Sequence, residues 1–173
     1  MKKFSHHGLL LSGGFDPLHV GHVRLIVAAK NLNGEVTIAL NSDAWLERKK
    51  GYVFMPWAER AEILRALHVR VVAVDDADGT VCEALDRLRP KFFGNGGDRA
   101  SADPREHAVC LRLNIEELFG LGGGKAQSSS ALVSGPFKRI TGMESGIGKV
   151  ALAQQLFGRR AQDLLPYLNK MED

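Results

Sequence analysis

The feature that most constrains this chain is a regular alternation, over its first two-thirds, of short apolar runs with stretches of helical pattern. Gly8–Ser12 (GLLLS) predicts a buried strand that stops at Gly13-Gly14, and His22–Leu32 then predicts a helix ended by Asn33-Gly34. Glu35–Asn41 predicts a second strand, Pro56–Leu67 a helix with Pro56 in its first turn, and Val69–Val74 a third strand. Gly79–Arg89 predicts a helix and Lys91–Gly94 a short fourth strand. Asp103-Pro104 has the chemistry of a helix start and opens a helix to about Leu113; Ile115–Phe119 predicts a fifth strand. Strands that alternate with helices in this way form βαβ units, which build a mainly parallel sheet covered on both faces. The expected fold class is therefore α/β, a Rossmann-like doubly wound parallel sheet of about five strands with a helical C-terminal extension. The expected domain is 1–134, followed by the extension 135–173, packed on the domain or on a second subunit.

A chain of 173 residues, 45% hydrophobic and 25% charged, has enough material for one core without covalent staples. Its 23 Lys+Arg against 20 Asp+Glu leave a net charge of +3, too mild and too evenly spread for a dedicated nucleic-acid binder. No apolar run reaches the roughly 18–20 residues of a membrane helix, and the three leucines near the start are too few for a signal peptide. Cys82 and Cys110 form no CxxC pair, so neither a disulfide framework nor a zinc knot is expected, and a reducing, cytoplasmic setting is the default.

In such sheets ligands bind beyond the carboxyl ends of the strands, which singles out residues 13–22, 41–51, 94–99 and 120–130. The first reads GGFDPLHVGH. Two glycines at a strand end let a phosphate approach the backbone amides, and the following helix turns its amino end toward the same point. His19 and His22 lie three apart on its first turn, so both rings can face one side, with Gly21 leaving space between them. Two imidazoles and a set of amides around one phosphate suit phosphoryl or nucleotidyl transfer. A zinc site is a weaker alternative, because nothing nearby completes a ligand set.

The other segments carry charge and flexibility. Asn41–Gly51 reads NSDAWLERKKG, which places Lys49 and Lys50 where mobile cations could offset crowded phosphates; the plainer alternative is a solvated basic loop. Gly94–Arg99 (GNGGDR) predicts a glycine-rich turn, with Asp98 either against a ribose hydroxyl or capping the turn. Gly122–Val133 (GGGKAQSSSALV) puts three serines before a helix-compatible run, where they can cap amides or bind phosphate oxygens. Gly142–Lys149 (GMESGIGK) lacks the spacing of a phosphate-binding P-loop and predicts a turn before a helix.

The string GGFDPLHVGH resembles the GxFDxxHxGH signature of the cytidylyltransferase-like nucleotidyltransferases, nearest to the glycerol-3-phosphate cytidylyltransferase and heptose-phosphate nucleotidyltransferase branch. The resemblance spans about residues 8–133, with NSD, GNGGD and the serine run in the family's order. It implies transfer of a nucleoside monophosphate from CTP or ATP to a polyol or sugar phosphate, with pyrophosphate released and Mg2+ arriving with the triphosphate. On that resemblance His19, His22 and Lys49 are catalytic. Gly14, Phe15, Asp16, Gly21, Lys50, Asp98, Lys125, Gln127, Ser128, Ser129 and Ser130 bind nucleotide, and Asp43 and Arg60 bind the acceptor. No metal ligand is assigned to the chain, and the partners are a nucleoside triphosphate and a phosphorylated small molecule, with no nucleic acid or membrane and with a homodimer as an option. Gly51, Asn95 and Gly123 stand where the family places cations, which also keeps open a nucleotide-binding module that has lost catalysis.

Overall fold

The computed structural model describes residues 8–96, 101, 103–124 and 127–133. Five strands, β1 (Leu9–Gly13), β2 (Val36–Leu40), β3 (Arg70–Ala73), β4 (Phe92–Gly96) and β5 (Glu116–Leu121), form one sheet in the order β3-β2-β1-β4-β5. Every neighbouring pair is parallel, with Leu9 opposite Val36 on one side and Phe92 on the other. Helices α1 (Val20–Asn33), α2 (Asp43–Lys50), α3 (Trp57–Ala66), α4 (Cys82–Leu88) and α5 (Pro104–Leu113) connect or flank them, and residues 129–133 are also helical. The α/β, doubly wound arrangement predicted for the domain is the one observed.

The unbroken leucine run of β1 has a simple cause. A strand buried on both faces needs apolar side chains at every position rather than every second one. Leu9 and Leu11 pack with Ile26 and Ala29 of α1 and Ala61 and Leu64 of α3. Leu10 points the other way, into a second cluster with Ala84 and Leu85 of α4, Phe93 and Cys110 of α5. Burial pushes the Cys110 thiol up to about 12, so it behaves as a small apolar side chain. Gly94 is fixed by the same packing: a Cβ there would lie 2.7 Å from the side chains of both Leu11 and Leu121.

Helix ends follow local chemistry. Asp103 caps α5 by accepting from the Arg105 amide, with Pro104 first inside. Two expectations are corrected. The basic stretch, for which a solvated loop was the plainer alternative, is helix α2: Ser42 accepts from the Trp45 amide at its start, and Gly51, left-handed at φ 81°, closes it. Gly94, Asn95 and Gly96 do not form a turn but complete β4, with an irregularity between Gly94 and Gly96 where the strand meets β5. The expected extension 135–173 lies outside the described residues. Among the described residues no helix is long and apolar enough to cross a membrane.

Candidate nucleotide and phosphate site

Strand order reverses between β1 and β4, and a cleft of about 340 Å³ opens there beyond the carboxyl ends of the strands. Its floor is the segment after β1. Gly14 is closed in by α2, since a Cβ would fall 2.6 Å from Leu46 Cδ2. Phe15 then takes a left-handed φ of 50° and buries its ring, whose centroid lies 4.8 Å from that of His22.

His19 is the N-cap of α1 and His22 its third residue, and together they close a capping box built from two imidazoles. His19 Nδ1 accepts from the Gly21 amide at 3.1 Å, and His22 Nδ1 accepts from the His19 amide at 3.2 Å. An Nδ1 that accepts a backbone N–H carries no proton, so a ring in its neutral form bears its proton on Nε2 as a donor. The rings stack with centroids 3.8 Å apart and planes 20° apart. Gly21 is required by this stack: a Cβ would lie 2.9 Å from His19 Cε1. Burial, then the neighbouring His19 and Lys50, push the His22 pKa down to about 3, so that ring is neutral near pH 7.

On the β2–β3 side, Lys50 and Lys49 line the cleft together with Asn41, Trp45, Gly79 and Val81. Lys50 Nζ donates to the Asp16 carbonyl at 2.6 Å, and burial lowers its pKa. Lys49 Nζ lies 4.4 Å from the Trp45 ring centroid. On the β4–β5 side, Gly122 and Gly123 are left-handed at φ 82° and 78°. A Cβ on Gly122 would lie 2.7 Å from the Leu25 amide nitrogen of α1. Ser128 accepts from the Ala131 amide and caps the helix at 129–133, while Ser129 donates to the Pro17 carbonyl at 3.0 Å. Gln127 and Ser128–Ser130 line this side. Asp98 and Lys125 lie outside the described residues.

Two residues expected to meet ligand, Asp16 and Arg60, are instead buried in the fold, and a third, Asp43, is half-exposed but paired with Arg60. The Asp16 carboxylate is fully buried and accepts from the Phe54 and Met55 amides at 2.8 and 2.7 Å, which ties the loop after α2 to the floor of the cleft. Arg60 is also fully buried and donates to Met55, Gly14 and Asn41 carbonyls and to Asp43. Asp43 takes that guanidinium and the Trp57 amide. The pair therefore bolts the ends of β1 and β2 together, and burial keeps Arg60 from an acceptor phosphate. A residue the motifs did not mark does similar work: buried Asp76, after β3, accepts from Asn41 Nδ2, Ser42 N and Ser42 Oγ at 3.0, 2.7 and 2.7 Å. Its only sequence signal was its place just beyond a strand end.

The cytidylyltransferase-like family profile matches residues 10–121, nearly two-thirds of the chain and all five strands. The chain belongs to the cytidylyltransferase-like family. Among curated relatives, the protein called "Bifunctional protein HldE" from Streptomyces coelicolor is 43% identical over 104 residues, which are 57% of this chain and 22% of that protein. Its namesake from Syntrophotalea carbinolica is 43% identical over 90 residues, 50% of this chain and 18% of that one. The aligned part is thus about a fifth of the length of these relatives. A solved structure described as a lipopolysaccharide core biosynthesis protein from Thermoplasma volcanium has the same fold, with TM-score 0.53 and 20% identity over 65% of this chain and 92% of that one. The cytidylyltransferase-like match makes this a chain of a nucleotidyltransferase family.

Among the described residues no group of three His, Cys, Asp or Glu side chains is gathered to hold a metal ion. Asp16 and Asp76 spend their oxygens on backbone and side-chain donors of the fold.

Proposed function

We propose that the chain transfers a nucleoside monophosphate from CTP or ATP to a phosphorylated small molecule, a sugar or polyol phosphate, and releases pyrophosphate. The observation that carries this reading is the stacked imidazole pair at the switch point, with both Nδ1 atoms committed to backbone amides. The acceptor's phosphate oxygen attacks the α-phosphorus. The bond from that phosphorus to the bridging oxygen breaks, and pyrophosphate leaves with the electron pair. No covalent protein intermediate is required. Nε2–H donors aimed at oxygens that gain charge in the transition state lower the barrier without a proton having to move. Magnesium enters as part of the nucleotide substrate, bound by the triphosphate oxygens.

The second reading is a nucleotide-binding module without turnover. It draws on Gly51, Asn95 and Gly123, which stand where the family places cations. Two of these have backbone reasons: Gly51 closes α2 in a left-handed conformation, and Gly123 sits at φ 78° in the turn after β5. Pyrophosphate release, assayed over the four nucleoside triphosphates with a panel of sugar and polyol phosphates, tests the proposal. Release that needs both a triphosphate and one acceptor class supports transfer. Thermal stabilisation by nucleotide with no release across the panel supports the module.

A further inference from the structure

The residues that line the cleft beside His19 and His22 divide by their place in the chain into two sets, taken as its two arms. One follows β4 and β5 and ends on the glycine turn and the capped serine helix. The other follows β2 and β3 and is walled by Asn41, Trp45, Gly79 and Val81. In-line transfer brings two substrates to opposite sides of one phosphorus, so each arm serves one of them. With the serine helix supplying amides and hydroxyls to the triphosphate, the β2–β3 arm is left for the acceptor.

An acceptor phosphate needs a cation held in place. Two lysines line the cleft. Lys50 is turned inward, with its Nζ on the Asp16 carbonyl at 2.6 Å. Lys49 is on the exposed face of α2, where a four-carbon stem would sample many rotamers. Its ammonium is instead 4.4 Å from the centroid of the Trp45 ring, one helical turn back on the same face. Trp45 is itself held at one end and lies beside Gly14 at the other. Its indole Nε1 donates to the Gly79 carbonyl at 3.4 Å, and its far edge lies 3.5 Å from where a Gly14 Cβ would be. The indole therefore spans the mouth of the arm, from the end of β1 to the loop after β3.

We propose that Trp45 is a positioning residue that holds the Lys49 ammonium at the β2–β3 arm, where it receives the acceptor's phosphate. This assignment rests on the nucleotidyl-transfer reading for the identity of the ligand. It does not follow from the sequence motifs, in which Trp45 was an unremarked position between Asp43 and the lysines.

The test is a set of steady-state measurements on Trp45→Leu, Trp45→Phe, Lys49→Met and the Trp45→Leu/Lys49→Met double variant, with nucleotide and acceptor varied separately. Trp45→Leu is expected to raise the acceptor KM about fivefold while the nucleotide KM changes less than about twofold, an effect within the range of one cation–π contact. Trp45→Phe, which keeps an aromatic face, is expected to restore most of the loss. The double variant should match Lys49→Met alone, since removing the ring matters only through the lysine. Additive losses, an effect on nucleotide KM instead, or a Trp45→Phe variant as poor as Trp45→Leu would overturn the inference. Calorimetric titration of the same proteins with inorganic phosphate separates this from failure of the transfer reading. If no acceptor supports turnover, equal weakening of phosphate binding in Trp45→Leu and Lys49→Met retains the pair. Unchanged phosphate affinity in Trp45→Leu removes it.

Discussion

At the scale of single residues, the account turns on which atom of each imidazole is already spent. Because His22 Nδ1 accepts the His19 amide, Asn is the informative replacement: its side-chain oxygen can take over that bond, but nothing replaces the Nε2 donor. Protonation of His22 gives a second prediction. Its pKa of about 3 in the folded chain lies below the ordinary value of 6.5, so between these values the unfolded chain binds the extra proton. The stability this ring contributes is therefore present above about pH 6.5 and is lost as pH falls toward 3. Urea unfolding at stepped pH should show a shallower decline over that window in His22→Asn than in the parent; parallel curves would contradict the neutral, buried ring. Arg60 is the residue whose role was least legible. The resemblance implied an acceptor-binding role, whereas its partners include carbonyls 46 and 19 positions away and Asp43. Sequence pattern carries no sign of such a contact. Arg60→Ala strands those buried carbonyls and should cost about 1–3 kcal/mol in chemical denaturation.

At the scale of elements, strands were read well because both faces of this sheet are covered, so β1 and β2 are apolar almost throughout. Boundaries moved by one or two residues at most strand ends. Helix α2 was missed for an equally physical reason. Of its eight residues DAWLERKK only Leu46 is buried, so it has almost no apolar periodicity to display. Its caps carry what signal the sequence holds, a Ser at the start and a Gly at the end. The helix depends on that glycine: Gly51→Ala forces a Cβ into left-handed backbone and should cost about 1 kcal/mol. Because α2 carries Lys49 and Lys50, the same variant should weaken phosphate binding, whereas a variant with normal stability and normal binding would show that the cap is dispensable. The serine run was legible as a helix start, and Ser128 does cap one; Ser129 spends its hydroxyl on Pro17 rather than facing outward, a tie over 112 positions that no local pattern announces.

At the scale of the whole molecule, the sheet order places three phosphate-suited elements, the imidazole cap, the lysine helix and the serine cap, around one crossing point. Each comes from a different strand, and internal polar ties hold them in register: Asp16 on the loop after α2, Asp43–Arg60 between β1 and β2, Asp76 between β2 and β3. A cleft preorganised in this way should be stabilised by its ligand in proportion to occupancy. A nucleoside triphosphate at about 100 times its dissociation constant should add about 2.7 kcal/mol to unfolding free energy, read as a rise in melting temperature. Absence of any shift with all four triphosphates would argue that the cleft binds something else. The central claim is that the paired Nε2 donors stabilise charge on the transferring and leaving phosphates. The most direct measurement is the rate of pyrophosphate release by folded His22→Asn against the parent chain, at saturating triphosphate and acceptor. The account predicts a rate about 10²–10³-fold lower, the effect of one lost donor to developing charge. A His22→Asn protein that turns over at the parent rate would contradict it.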